Sequence, residues 1–242
     1  MTPTAPTTGR RAVVVQHDPT VALGNFGPVL EEHGYTIDLI DARTPGFTEA
    51  LADAADAELL VVLGSTAGVY ESESYPFIAP EIAHLQQRLA ERRPTLGVCF
   101  GAQIIAAALG EEVRRGDTVE VGYREVTPTA EGFDSPVRHV AGTRMAQWHG
   151  DTFDLPTSVT LLASSAEYRH EAYGSGDWLL AVQFHPELTD EMHEQWLVGD
   201  AAFVAEHGYD AEALRDERAR HGAAMQTASR LLLSDYLARL PR

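Results

Sequence analysis

Cys99 and His185 are the two side chains in this sequence whose surroundings favour chemistry over packing. Cys99 lies in Gly97-Val98-Cys99-Phe100-Gly101, between an apolar run that reads as a strand and an alanine-rich run that reads as a helix. Glycines two residues either side of a nucleophile let strand and helix meet closely at a sharp turn, which pushes the side chain out at the sheet edge. The helix N-terminus there favours thiolate over thiol and offers amides to a developing oxyanion. Most free cysteines are instead small buried hydrophobes. The paired glycines and the strand–turn–helix setting tip this one towards a nucleophile.

A thiol works best with an imidazole that a third group orients. The chain has 10 histidines, so position must choose among them. His185, in the segment Leu179–Leu188, falls just beyond an apolar strand, at the same edge to which the turn delivers Cys99. Pro186 sets the backbone after it, and Glu187 follows where a carboxylate can hold the ring and stabilise an imidazolium. The competing reading is a surface turn opening the next helix, with Glu187 favoured by the helix dipole. A metal at His185 and Glu187 is disfavoured because no third ligand lies near in sequence. Neither metal nor organic cofactor is expected for the chemistry.

These groups need a scaffold that brings two strand ends together. Arg11–His17, Tyr35–Asp41, Glu58–Gly64 and Pro94–Val98 are short apolar runs of the buried parallel type. Helical patterns over Asn25–Gly34, Phe47–Ala57 and Ala79–Arg93 separate them. The alternation predicts a doubly wound, mostly parallel α/β sheet. From Val113 to Ala172 the runs Thr118–Pro128, Thr143–His149, Ser158–Ser164 and Glu167–Tyr173 read as an appended antiparallel section. Asp177–Phe184 returns to a buried strand. The tail from Thr189 to Leu240 reads as helical, with a break near Gly208. We expect a leader over residues 1–10 that is disordered, then a single domain over 11–242 whose C-terminal helical extension covers about 189–242.

The 242 residues carry a formal net charge of −18, and all 18 basic residues are arginine. So acidic a chain repels phosphate backbones and anionic headgroups, which excludes nucleic acid and membrane surfaces as expected partners. One cysteine builds neither an internal disulfide nor a cysteine-rich zinc site, and a free thiol suits the cytoplasm.

Gly-Val-Cys-Phe-Gly-Ala-Gln and Val-Gln-Phe-His-Pro-Glu-Leu together resemble the two signatures of class I glutamine amidotransferases, over about Arg11 to Thr189. The resemblance implies a flavodoxin-like fold and a Cys99–His185–Glu187 triad that hydrolyses the γ-amide of glutamine through a thioester. It further implies an oxyanion hole from Gly64, Ser65 and Phe100, and glutamine contacts from Gln103 and from Trp148, His149, Gly150 and Asp151. That last segment is similar to the Ser-His-Gly-Asp stretch of the GMP synthetase branch. Two positions depart from the pattern: the usual Gly-Gly-Pro is Gly64-Ser65-Thr66, and the usual Ser is Trp148. A left-handed φ at Ser65 would cost roughly 1–2 kcal/mol.

The residues after Glu187 are too few for an ATP-dependent synthetase domain. A glutaminase of this kind would deliver ammonia to a partner or acceptor, a separate synthetase subunit being one candidate, whereas the missing synthetase domain supports a γ-glutamyl hydrolase. The same motifs also fit a γ-glutamyl peptide or amine hydrolase. They fit, too, a regulatory subunit with a vestigial triad, docking through Leu231, Leu232, Tyr236, Leu237 and Leu240. Against docking stands a terminal helix packed on its own domain.

Overall fold

The computed structural model describes residues 10–241; the expected leader lies outside them except for Arg10, which opens the first strand. Apolar, β-branched runs form the centre of the molecule. Strands β1 (Arg10–Gln16), β2 (Tyr35–Asp41), β3 (Leu59–Val62), β4 (Thr95–Val98) and β10 (Leu179–Val182) lie parallel in the order β2-β1-β3-β4-β10. Ala12–Val15 is 0% exposed because both faces of the sheet are covered. Alternate residues divide between two cores. Val14 and Val61 join one with helices α1 (Phe26–Glu32), α6 (Asp190–Gly199) and α8 (Ala211–Arg239). Val13 and Val62 join the other with α2 (Phe47–Asp53), α3 (Ile78–Ala90) and α4 (Phe100–Ala108). The doubly wound α/β arrangement is thus present, with a short α7 (Ala201–Glu206) between α6 and α8.

The middle of the chain divides differently from the sequence reading. β5 (Val113–Glu125) and β7 (Arg144–Phe153) form a separate two-stranded antiparallel sheet, with a register shift between Arg115 and Glu120. β9 (Ala172–Ser175), β8 (Thr160–Ser164) and β6 (Thr127–Pro128) instead extend the main sheet beyond β10, pairing antiparallel and bringing it to 8 strands. Between β6 and β7 lie α5 (Ala130–Phe133) and a 3-10 turn at Pro136–Val140. The strand expected over Glu167–Tyr173 begins only at Ala172. Ser165 closes a local turn before it, donating its amide to the Tyr168 carbonyl and accepting from the Tyr168 amide.

The helical tail breaks at Gly208, where φ is +78°, and also at Asp200. Leu232, Tyr236, Leu237 and Leu240 are buried in the chain's own core, so they are not a free docking face; Leu231 alone of that set is exposed. The Tyr236 hydroxyl is shared between the carbonyls of Thr95 and Trp178, at the starts of β4 and β10. No helix among the described residues is long and apolar enough to cross a membrane.

Candidate active site

Strands β4 and β10 are neighbours and end together, and that puts Cys99 and His185 at one rim. Cys99 caps α4 with φ +52° and ψ −108°, one of two non-glycine residues with positive φ among the described residues. Its amide donates to Val182 O at 2.8 Å, so the strained turn is tied to β10 itself. The flanking glycines are there for space. A Cβ at Gly101 would lie 2.1 Å from Val62 O, and one at Gly97 would lie 2.6 Å from Ile105 Cδ1 and 2.7 Å from Gly101 O. Any side chain at either position would drive helix and sheet apart.

His185 leaves β10 with its amide bonded to Ala146 O at 2.8 Å. Its Nδ1–H donates to Glu187 Oε1 at 2.7 Å, and both side chains are closed off from solvent. Burial alone would push the imidazole down. The Glu187 charge first, and then Cys99 as both charge and hydrogen-bond partner, overcome it and raise the imidazole to about 10. Glu187 is anchored through its backbone: its carbonyl accepts from Asn25 N at 2.8 Å, and a Cβ at Gly24 would sit 2.1 Å from that oxygen. The Trp196 ring from α6 stands edge-on to His185 at 4.7 Å and donates its Nε1–H to Thr20 O. Sequence reasoning missed Trp196 and Gly24, which reach the site from distant segments.

Gly64 lies under both groups. A Cβ there would be 3.2 Å from His185 Cε1 and 3.7 Å from Cys99 Cβ, so ring and cysteine converge on one point above it. Ser65 does not take a left-handed φ. The strain expected from replacing the family glycine is therefore absent, and the Ser65 hydroxyl accepts from Ala67 N at 3.1 Å in a local turn. Phe100 opens α4, whose first amides have no earlier turn to bond to. Its ring packs at 4.8 Å against His17, which is paired with buried Glu81.

The four-residue segment and Gln103 are placed less uniformly. Gln103 is buried with its Nε2 donating to Gln183 Oε1 at 3.1 Å. Trp148 spends its Nε1–H on Asp200 and packs on the outer side of Trp196, supporting the wall around His185. His149 is buried under Tyr168. A Cβ at Gly150 would lie 2.9 Å from Val119 Cγ2. Asp151, its carboxyl raised by burial, accepts from the Tyr70 hydroxyl at 3.3 Å. Arg115 in turn donates to Tyr70, so the loop after β3 and the end of β7 meet at the surface.

The family described as Glutamine amidotransferase class-I matches residues 25–203. The chain is 28% identical over 203 residues to the glutamine amidotransferase-like protein YfeJ of Salmonella typhimurium, covering 79% of this chain and 84% of that one. It is 35% identical to a glutamine-hydrolyzing GMP synthase subunit of Halobacterium salinarum, over 64% of this chain and 77% of that one. It is 32% identical to gamma-glutamyl peptidase 3 of Arabidopsis thaliana, over 42% and 43%. Among solved structures, a glutamine amidotransferase from Thermotoga maritima superposes with a TM-score of 0.81 at 27% identity, covering 94% of this chain and 97% of that chain.

Proposed function

The chain belongs to the class I glutamine amidotransferase family, and on that premise we propose that it hydrolyses the γ-amide of glutamine with Cys99 as nucleophile. The observation that carries this reading is the 2.7 Å hydrogen bond from His185 to buried Glu187, at the rim where Cys99 also emerges. An imidazolium beside the sulfur stabilises its anion. The thiolate attacks the γ-carbonyl carbon, and the negative charge that develops on oxygen falls to the amides of Phe100 and Ser65 near Gly64. His185 gives its proton to the departing nitrogen, and ammonia leaves a γ-glutamyl thioester on Cys99. Water, giving a proton to the same imidazole, attacks the thioester; glutamate departs and the thiolate–imidazolium pair returns. Glu187 holds the ring in one tautomer throughout.

In this reading the backbone around His149, Gly150 and Asp151 and the Gln103 side chain border the glutamine, while Trp148 backs the wall. The ammonia passes to a separate synthetase subunit, in keeping with the likeness to a GMP synthase subunit. The likeness to a gamma-glutamyl peptidase favours a second reading, hydrolysis of a γ-glutamyl peptide or amine by the same three residues. Two measurements test both. Exposure to 6-diazo-5-oxo-norleucine should label Cys99 alone in peptide mass spectra, and labelling elsewhere would overturn the nucleophile. Comparing kcat/KM for glutamine with that for γ-glutamyl dipeptides separates the two substrates.

A further inference from the structure

We propose that Glu120, His149 and Glu171 form a buried site for a divalent transition-metal cation of the zinc type. Glu120 on β5 stands opposite His149 on β7 in the ladder, and Glu171 immediately precedes β9. One ligand atom from each lies within 4.8 Å of the other two. The residues are only 3%, 5% and 0% exposed.

The wiring of the cluster leaves buried polar atoms without partners. His149 Nδ1 is 3.1 Å from the carbonyl oxygen of Asp151, which can only accept, so Nδ1 is the donor there and Nε2 is the atom turned to the cluster. Nε2 faces Glu120 Oε2 at 3.6 Å, beyond hydrogen-bond range. Among the described residues, His149 Nε2, Glu120 Oε2 and Glu171 Oε1 have no hydrogen-bond partner, and neither has Gln147 Oε1. Polar atoms thus go unpartnered in a low-dielectric interior, an arrangement costly unless something they can bind stands between them. Arg124 approaches only the other oxygen of Glu120, at 4.0 Å, and stays partly in solvent. Two carboxyl groups and an imidazole nitrogen are donors that one divalent cation can satisfy together.

The donor set selects the metal class. An imidazole nitrogen with two carboxylate oxygens suits zinc and its neighbours, whereas calcium and magnesium prefer oxygen alone. Tetrahedral zinc at about 2.0–2.1 Å places ligand atoms about 3.3 Å apart, close to the His149–Glu120 separation. The surrounding bonds are those that orient metal ligands: His149 Nδ1–H on a backbone carbonyl, and Gln147 Nε2 donating to Glu171 Oε2 at 2.9 Å. Such an ion would staple the β5–β7 sheet to the main sheet. The Glu171 carbonyl also accepts from Gln183 N at 2.8 Å, two residues before His185. This site is independent of the Cys99 reaction and stands whether or not that reading does.

The test uses the full chain carrying Cys99→Ala, so that sulfur cannot hold the metal. The protein is stripped with chelator, unfolded in denaturant, refolded with zinc and desalted, which removes any question of entry into a closed site. Elemental analysis should find one zinc per chain, with Tm above that of the chelated protein. Glu171→Gln and Glu120→Gln should each lose the zinc and the Tm rise. Refolding with cobalt should give the visible absorption of a tetrahedral nitrogen–oxygen site, absent from both variants. Zinc retained equally in the glutamine variants, or no zinc and no cobalt band in the parent, overturns the proposal. Should one variant fail to refold, the other and the parent cobalt spectrum decide.

Discussion

His185 and His149 are both buried, both face carboxylates, and are wired in opposite senses. His185 donates Nδ1–H to a carboxylate and so is held as a cation able to serve an adjacent sulfur. His149 donates Nδ1–H to a backbone carbonyl and turns Nε2 towards two carboxyl groups. Nδ1 is tied to a side-chain carboxylate in one ring and to a backbone carbonyl in the other, and the opposite nitrogen is aimed accordingly, at a sulfur or at two carboxyl groups. The first arrangement suits proton transfer, and the second suits ligation.

The comparison breaks first at the sulfur. Cys99→Ala should reduce glutamate release by at least about 10³-fold while circular dichroism stays unchanged, since only the reacting atom is removed. Glu187→Gln should come next, lowering kcat by about 10²–10⁴-fold. It should also move the alkaline limb of the pH–rate profile downward, because the largest influence raising His185 is gone. The sign follows from the raised imidazole. Its contribution to stability is complete below the ordinary histidine value near 6.5 and fades as pH climbs through about 10. Wild-type protein should accordingly lose both rate and Tm as pH approaches 10, and Glu187→Gln should lose them earlier. An unmoved limb in that variant would detach the carboxylate from the ring.

Smaller changes sharpen the contrast by altering support alone. Gly101→Ala drives a methyl into the Val62 carbonyl and should cost about 3 kcal/mol, read as a lower Tm in denaturation scans. Thr189→Ala removes the hydroxyl that accepts from Met192 N at 3.2 Å at the start of α6. It should cost about 1 kcal/mol and leave the alkaline limb in place, since Trp196 remains packed on His185.

The parts of this molecule readable in sequence are those whose physics is local. The triple-valine run at Val13–Val15, the glycines around Cys99 and the strand ending at His185 each carry their cause within a few residues. Glu167–Tyr173 misled because its partial alternation resembles a strand, whereas Ser165 and Tyr168 close a turn there. Ser65 left two paths open in sequence, a strained left-handed turn or a different loop course, and the loop takes the unstrained one. Glu120, His149 and Glu171 were not legible as a group because a strand ladder and a sheet junction assemble them from three segments. A signal existed at Glu120, a carboxylate set among the buried residues Val121–Tyr123, but its partners did not. Trp196 and Gly24 were hidden for the same reason.

Tyr236 has a mechanical consequence. One phenol near the C-terminus touches the starts of the two strands whose far ends carry the cysteine and the histidine. Pulling on the last helix would therefore load both strands at once, as a bolt does through two planks. The final turns of the chain belong to the alignment of sulfur and ring as much as the residues beside them do.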